Sequence, residues 1–461
     1  MKQGVQGNLD ALATGKIGRL LWDYSIPAVV GMLVMSLYNV IDRIFIGQGV
    51  GTDAIAGLAI TFPVMNVSAA LGVLVGAGAS ARVSILLGAG NHRGAEMTLG
   101  NALTLIVINA ALYIGCLAFW LDDVLRAFGA SDVSLPYARD FVSCILPGMF
   151  IMNIAFSFNN VMRASGYPMK AMYSMFVGAG INLILAPLFI FGFGWGIKGA
   201  AIATDIAMSV FAIIVMRHFC LSSSTLHFRR GIYRLQWHIV LGIISIGAAP
   251  SVVNLAGSAI NVIINKALYA YGSDNAVAAA GIFTTFTSLL VMVVVGICQG
   301  MQPIIGYNYG AGLLHRLKRT FWLATLWGSI VCTAGCLTGI FAAPYIARAF
   351  TVDARLIEVT AGAFRHALWA FWMVGFQIVA TTFFQSIGRA GKSIFLSLTR
   401  QVIFLIPLLL WLPGVLGLNG VWLSFPFSDI CATVVSALMV GWQMRHISRC
   451  AAEHSPASAC L

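Results

Sequence analysis

Residues 275–301 read NAVAAAGIFTTFTSLLVMVVVGICQGM, without one charged side chain. A helix needs about 20 apolar residues to cross the ~30 Å hydrocarbon core of a bilayer. This run is long enough, and it has counterparts on both sides. Working outward from it, the chain divides into apolar spans at 20–46, 54–80, 97–121, 138–163, 170–193, 196–217, 238–268, 275–301, 319–343, 360–386, 393–416 and 419–443. The whole chain of 461 residues is 59% hydrophobic and 9% charged. A soluble domain carries about 25% charged residues, so this sequence has too little polar surface to cover a water-soluble globule of its size. The expected fold class is an all-α membrane protein with about twelve transmembrane helices.

The formal net charge is +12. The basic residues sit in short loops between apolar runs and form no basic face with interleaved aromatics, which argues for a lipid bilayer as partner and against nucleic acid. Most Lys and Arg, including Lys16, Arg19, Arg82, Arg93, Arg163, Lys170, Arg229, Arg230, Arg234, Arg316, Lys318, Arg389 and Arg445, fall on one side of a twelve-span topology. Acids such as Asp53, Asp122, Asp132, Asp274 and Asp353 fall on the other. The positive-inside rule then puts both termini in the cytoplasm of a multi-pass protein of the cell membrane. The first apolar run is too long for the ~7–15-residue core of a cleavable signal and is expected to be retained. Most of the nine Cys lie inside apolar runs, Cys332 and Cys336 on one helix face, without metal-ligand spacing to His.

The halves repeat. Pro27 matches Pro250, Gly88-Ala89-Gly90 matches Gly310-Ala311-Gly312, Gly166 and Lys170 match Gly388 and Lys392, and Ile197-Lys198-Gly199 matches Leu418-Asn419-Gly420, all at a near-constant offset. The domains expected are an amino-terminal six-helix lobe, 1–217, a basic cytoplasmic linker, 218–236, a carboxy-terminal six-helix lobe, 237–445, and a tail, 446–461. Six helices per half make a parallel repeat about an axis along the membrane normal, an arrangement suited to rocking about a central cleft. A channel can be duplicated too, and stoichiometric coupling is what would exclude it. Gly388-Arg389-Ala390-Gly391-Lys392-Ser393 imitates a phosphate loop, but Ser386 stands where the pattern needs Gly and no strand precedes it. An ATP-driven pump is disfavoured, and the chain is expected to need no cofactor.

Two stretches carry a specific resemblance. Leu37-Tyr38-Asn39-Val40-Ile41-Asp42-Arg43-Ile44-Phe45-Ile46-Gly47 resembles the first helix of the multidrug and toxic compound extrusion (MATE) family, and Gln299-Gly300-Met301-Gln302-Pro303-Ile304-Ile305-Gly306-Tyr307-Asn308-Tyr309-Gly310-Ala311 resembles its eighth-helix signature. Arg400-Gln401 followed by Leu405-Ile406-Pro407 is similar to the eleventh helix of its prokaryotic DinF-like branch. The resemblance covers about residues 15 to 445. It implies two pseudo-symmetric six-helix lobes in a V and a secondary antiporter that exports small organic cations and drugs by alternating access, in exchange for protons or sodium ions. It implies no enzymatic activity. The polar cluster of the family's amino-terminal lobe falls here on Asp42, Asn182 and Thr204, which would also be the sodium site if sodium is the coupling ion. A further family position, an Asp before Pro in the fifth helix, is Ala186 here.

On their own chemistry, these residues fit the role. A carboxylate inside a span costs roughly 2.5–3.5 kcal/mol on insertion scales, and desolvation favours the neutral acid, so Asp42 can exchange a proton. Its competing role is a permanent pair with Arg43 near the outer interface. Asn182 and Thr204 are neutral polar groups in apolar helices, either arranging Asp42 or serving as interhelical glue. Asp205, next to Thr204 but turned by about 100°, is a candidate replacement for the acid missing at 186. Asp429 and Arg400 are expected to form an ion pair in the carboxy-terminal lobe, and Lys266 to snorkel to the interface. Candidate substrate contacts are Tyr38, Asn39, Met65, Asn160, Phe283, Met292 and Gln299, within a set of Met and Phe side chains adaptable to many ligand shapes or serving in ordinary packing. Gly72 and Gly76 permit close helix approach, and Pro27, Pro187, Pro250 and Pro407 are candidate kinks. A lipid-linked precursor flippase is the alternative; it would want several intramembrane cations, and Arg163 and Arg400 are the only candidates. An intramembrane enzyme would need a reactive constellation inside the spans, and His92, His218, His227 and His315 lie in loops or near span ends. The protein is expected to function as a monomer.

Overall fold

The computed structural model describes residues 9–50, 52–132, 134–221 and 224–452. The side chains of Asn39 and Arg43 fall outside the described part, as do residues 453–461 of the expected tail. Among the described residues the regular structure is helical, without a strand. The long helices are α1 (Ile17–Gly49), α2 (Thr52–Gly88), α3 (His92–Ala127), α4 (Leu135–Ala164), α5 (Pro168–Pro187), α6 (Gly196–Cys220), α7 (Trp237–Tyr271), α8 (Asp274–Gly310), α9 (Leu314–Phe341), α10 (Ala354–Ala367), α11 (Val374–Ser386), α12 (Ala390–Leu398), α13 (Ile406–Leu416) and α14 (Leu418–Ala452). Among the described residues eleven helical segments are long and apolar enough to cross a membrane, and the bent pair α10–α11, taken as one span, makes a twelfth. The expected order of spans is thus found, and α14 runs on through residues 446–452, the start of the expected tail.

Among the described residues four spans depart from plain α-helix; the third does so at Trp120, whose φ of −121° and ψ of 24° kink it. The tenth breaks by 55° between Ala367 and Phe371. Its first piece carries Arg355, Glu358, Arg365 and His366 and is amphipathic, so it differs in character from the apolar α11. The carbonyl released at Leu368 accepts from the Cys336 thiol at 3.1 Å and from the Phe371 amide at 2.8 Å, so this acceptor at the break is satisfied. The fifth span ends in a π turn, Leu188–Gly192, directly after Pro187, and the eleventh contains one, Thr399–Leu405, just before Pro407. Proline lacks an amide proton and crowds the preceding turn; the widened turn before Pro407 relieves that conflict, whereas the one at Leu188–Gly192 follows its proline.

The chain forms two compact units. One holds Val30–Asn254 with the described residues before Gly15; the other holds Gly15–Val29 with residues from Leu255 on. The boundaries fall inside α1 and α7, shortly after Pro27 and Pro250. In the first unit a Cβ at Gly78 of α2 would lie 2.0 Å from the Ile243 carbonyl of α7, and one at Gly247 would lie 1.7 Å from the Leu74 carbonyl. In the second, a Cβ at Gly300 of α8 would meet Ser25 of α1 at 2.4 Å. These are repeat-related contacts: each unit takes up the start of the other half's first helix through glycines that admit backbone-to-backbone approach. Gly72 and Gly76 do the same for α2 against Asn153 and Ser157 of α4, where Ser157 donates to the Gly72 carbonyl at 2.9 Å and Asn153 to Ser68 at 3.1 Å.

The basic segment after α6 is pinned to the first unit. Asn101, inside α3, donates to the carbonyls of Ile232 and Arg234, both at 3.2 Å, and accepts from the Gln236 amide at 2.8 Å. Glu96, buried one turn earlier, pairs with Arg229 at 3.2 Å, and Phe228 packs against Phe158 and Phe219.

Candidate functional site

In the first unit, α5 and α6 bring Asn182 and Thr204 together. Both are buried, at 2% and 9% exposure. The Asn182 amide donates to Thr204 Oγ at 3.0 Å, and Thr204 spends its own proton on the Ala200 carbonyl at 3.0 Å. A threonine hydroxyl has one proton and two lone pairs, so the pairing is one-directional. One Asn182 N–H and the Thr204 proton are thus engaged inside the lobe, while the Asn182 side-chain carbonyl is by its chemistry an acceptor. Oxygen acceptors are what a hard cation or a protonated carboxyl requires.

One turn after Asn182 comes Ala186, wholly buried in an apolar cluster with Ile46, Met149, Ile190, Ala200 and Ala203. A carboxylate in that position would lose its hydration among mainly aliphatic side chains. Asp205 points elsewhere. Its carboxylate rests on the α4 backbone at Gly148, where an added Cβ would come within 1.7 Å of Oδ1. That oxygen is buried and without a hydrogen-bond partner in the protein. Thr204 therefore faces α5 while its neighbour faces α4, as their 100° separation requires. Asp42 is half-buried on α1 with a buried Oδ1, one turn after the buried Tyr38.

The candidate substrate contacts are dispersed by their surroundings. Met65 packs against the first unit's apolar cluster. Asn160 is half-buried on α4; beside it Asn159, which sequence reasoning passed over, is buried, donates to the Ala171 carbonyl and Ser174 at 2.8 and 3.0 Å and accepts from Arg163 at 3.1 Å. Arg163 is 3% exposed, at the end of α4. In the second unit Met292 and Gln299 are half-buried on α8, whereas the Phe283 ring is enclosed by Phe364, Trp422 and Phe425, with centroids 5.4–6.0 Å away.

The second unit holds the expected ion pair. Arg400 Nε donates to Asp429 Oδ1 at 2.7 Å, with the Asp429 side chain 4% and the Arg400 side chain 24% exposed. Arg400 belongs to the π turn, and its carbonyl accepts from Ser428 Oγ at 2.6 Å. The phosphate-loop imitation is a turn at Gly388, φ +73°, and Lys392 is taken up by Gln443 at 2.6 Å and by the Trp442 ring at 4.2 Å. Among the described residues no three His, Cys, Asp or Glu side chains converge as a metal site.

Comparison with known proteins adds a family and a fold. The profile of the MatE family matches residues 27–188 and again 250–411, which are the two halves of the repeat. A protein of Shewanella oneidensis named FAD transporter is 28% identical over 91% of this chain and 93% of its own length. Multidrug export protein MepA of Staphylococcus aureus is 24% identical over 93% of this chain and 94% of its own. The solved outward-facing conformation of a multidrug resistance MATE family transporter superposes with a TM-score of 0.89 at 24% identity, covering 95% of this chain and 98% of that one.

Proposed function

Since the chain belongs to the MatE family, a family of multi-pass membrane transporters and not of enzymes, we propose that it is a secondary antiporter exporting small organic cations in exchange for protons or sodium ions. The supporting observation is the one-directional Asn182–Thr204 pair, which leaves acceptor oxygen inside a lobe that also holds the half-buried acid Asp42. Asp42 carries the coupling ion, and Asn182 and Thr204 arrange its surroundings. With Ala186 in a dry core, Asp205 is the remaining acid of α5 and α6, and its unpartnered oxygen suits a second protonation site. Drug and ion favour different states of the same transporter, which is all that antiport needs. The inward ion step draws about 2.3 kcal/mol per charge per 100 mV of membrane potential. Tyr38, Asn39, Met65, Asn160, Phe283, Met292 and Gln299 contact substrate over the transport cycle. The protein works as a monomer in the cell membrane with both termini in the cytoplasm.

The test uses purified protein in sodium-free liposomes with an imposed pH gradient, following ethidium with and without Asp42→Asn. Uptake that vanishes in the variant supports proton coupling at Asp42. Uptake restored only by a sodium gradient moves the coupling to sodium. Transport under neither gradient removes the cation-export reading. Asp205→Asn with unaltered transport and pH dependence would remove Asp205 from the coupling set.

A second reading, export of a flavin dinucleotide, draws support from the 28% identity to the relative named FAD transporter. It predicts gradient-driven movement of FAD by the same preparation.

A further inference from the structure

Arg400 lies about 15 Å of helix rise from Ala390, and Asp429 about as far from Leu418, the starts of their spans. Both charges thus sit at mid-span. A guanidinium has five N–H donors in a planar fork. Here only Nε is used, by Asp429. No other hydrogen bond or ion pair from the Arg400 side chain is formed among the described residues, and its terminal nitrogens are absent from the sealed, unpartnered polar atoms. They reach accessible space. Two further groups on the same segment, the buried side-chain oxygens of Ser397 and Gln401, lack partners. A purely structural pair at this depth would be favoured by two parallel N–H···O bonds and by satisfaction of the remaining donors. Intramembrane cations face water-filled cavities or partners, not lipid.

The same face of α14 carries an aromatic group. Phe425 lies one turn before Asp429, is half-buried, and sets its ring at a tilt to Phe283, with centroids 5.4 Å apart. Residues four apart on a helix are surface neighbours.

We propose that the outer edge of Arg400 is a binding site for organic anions that carry a planar ring, with the guanidinium taking a carboxylate or phosphate and the Phe425 side of α14 taking the ring. Asp429 is a positioning residue: it holds the guanidinium by Nε and turns the two-nitrogen edge outward, where it matches two oxyanion oxygens. It also opposes an incoming anion by its own charge. The substrates of this transporter then extend from cations to aromatic acids. The inference rests on the transporter reading above, and it can fail without that reading failing.

The experiment compares FMN with riboflavin, which share a ring and differ by a phosphate, by fluorescence anisotropy on the full chain in nanodiscs. The wild type should bind FMN at least about tenfold more tightly, a difference of roughly 1.4 kcal/mol. Arg400→Gln should erase that preference and leave riboflavin affinity unaltered. Arg400→Lys keeps the charge opposite Asp429 but lacks the fork, and should lose most of the preference while the thermal unfolding midpoint stays near wild type. Asp429→Asn keeps an acceptor for Nε and removes the opposing charge, so FMN should bind more tightly still. Equal binding of both probes by the wild type, binding of neither, variants that weaken both alike, or Asp429→Asn weakening FMN as Arg400→Gln does, would each overturn the proposal. Ethidium transport by the same proteins in liposomes separates this outcome from loss of the transporter reading.

Discussion

Asn182 donates to Thr204 at 3.0 Å, and Thr204 passes its own proton to the Ala200 carbonyl at the same distance. The direction of this relay is fixed by proton count, and it can be reversed or broken by single substitutions. Thr204→Val keeps the shape but removes the oxygen that Asn182 uses. The stranded amide should cost about 1–3 kcal/mol, read as a lower midpoint of thermal unfolding in detergent. Thr204→Ser should recover most of it.

Ala186 is sealed within the apolar cluster around Ile46 and Ile190. Ala186→Asp places an acid among mainly aliphatic side chains and should destabilise by several kcal/mol. Size-exclusion profiles and yield should deteriorate in the variant. A well-folded Ala186→Asp protein would mean that the lobe opens at this point.

Gly148 and Asp205 share a contact that a methyl group would fill. Gly148→Ala should lower stability by about 1–3 kcal/mol, the usual cost of overpacking. Adding Asp205→Ala in the same chain should return most of that loss. Additive effects in the double variant would show that the two residues do not touch.

Arg400 and Asp429 should behave as a pair. Removing either alone leaves a charge with no counter-ion and should cost about 3–5 kcal/mol. Arg400→Met with Asp429→Leu should cost clearly less than the worse single variant, by the same unfolding measurement.

Much of this architecture was legible from the amino acids. Runs such as 275–301 fix spans because lipid imposes one requirement, and the near-constant offset from Pro27 to Pro250 exposes the repeat that the MatE profile matches twice. The Gly72 and Gly76 contact was also readable, since small residues one turn apart admit a neighbouring backbone. The broken tenth span was not. No proline marks Leu368–Ala370, and the break is held by Cys336 from a different helix. Asn101 gave a faint signal, a lone amide in an apolar helix, but its three partners lie more than 130 residues away. In the candidate site, the residue types at 182, 204, 400 and 429 were readable, and so was the pairing of Arg400 with Asp429; that Asn182 bonds Thr204 came from the structure. Which way Asp205 turns, and which edge of Arg400 stays open, depend on neighbouring helices that no local pattern specifies.

The division of α1 has a consequence in time. Residues 15–29 belong to the compact unit completed by α8 and later helices, and Ser25 Oγ donates to the carbonyl of Ile297 at 3.4 Å. Synthesis at about 5–20 residues per second places roughly 14–54 s between the two ends of that bond. The opening segment of the chain therefore leaves the ribosome long before its packing surface exists, and the second half of the protein must be made before the first helix can finish folding.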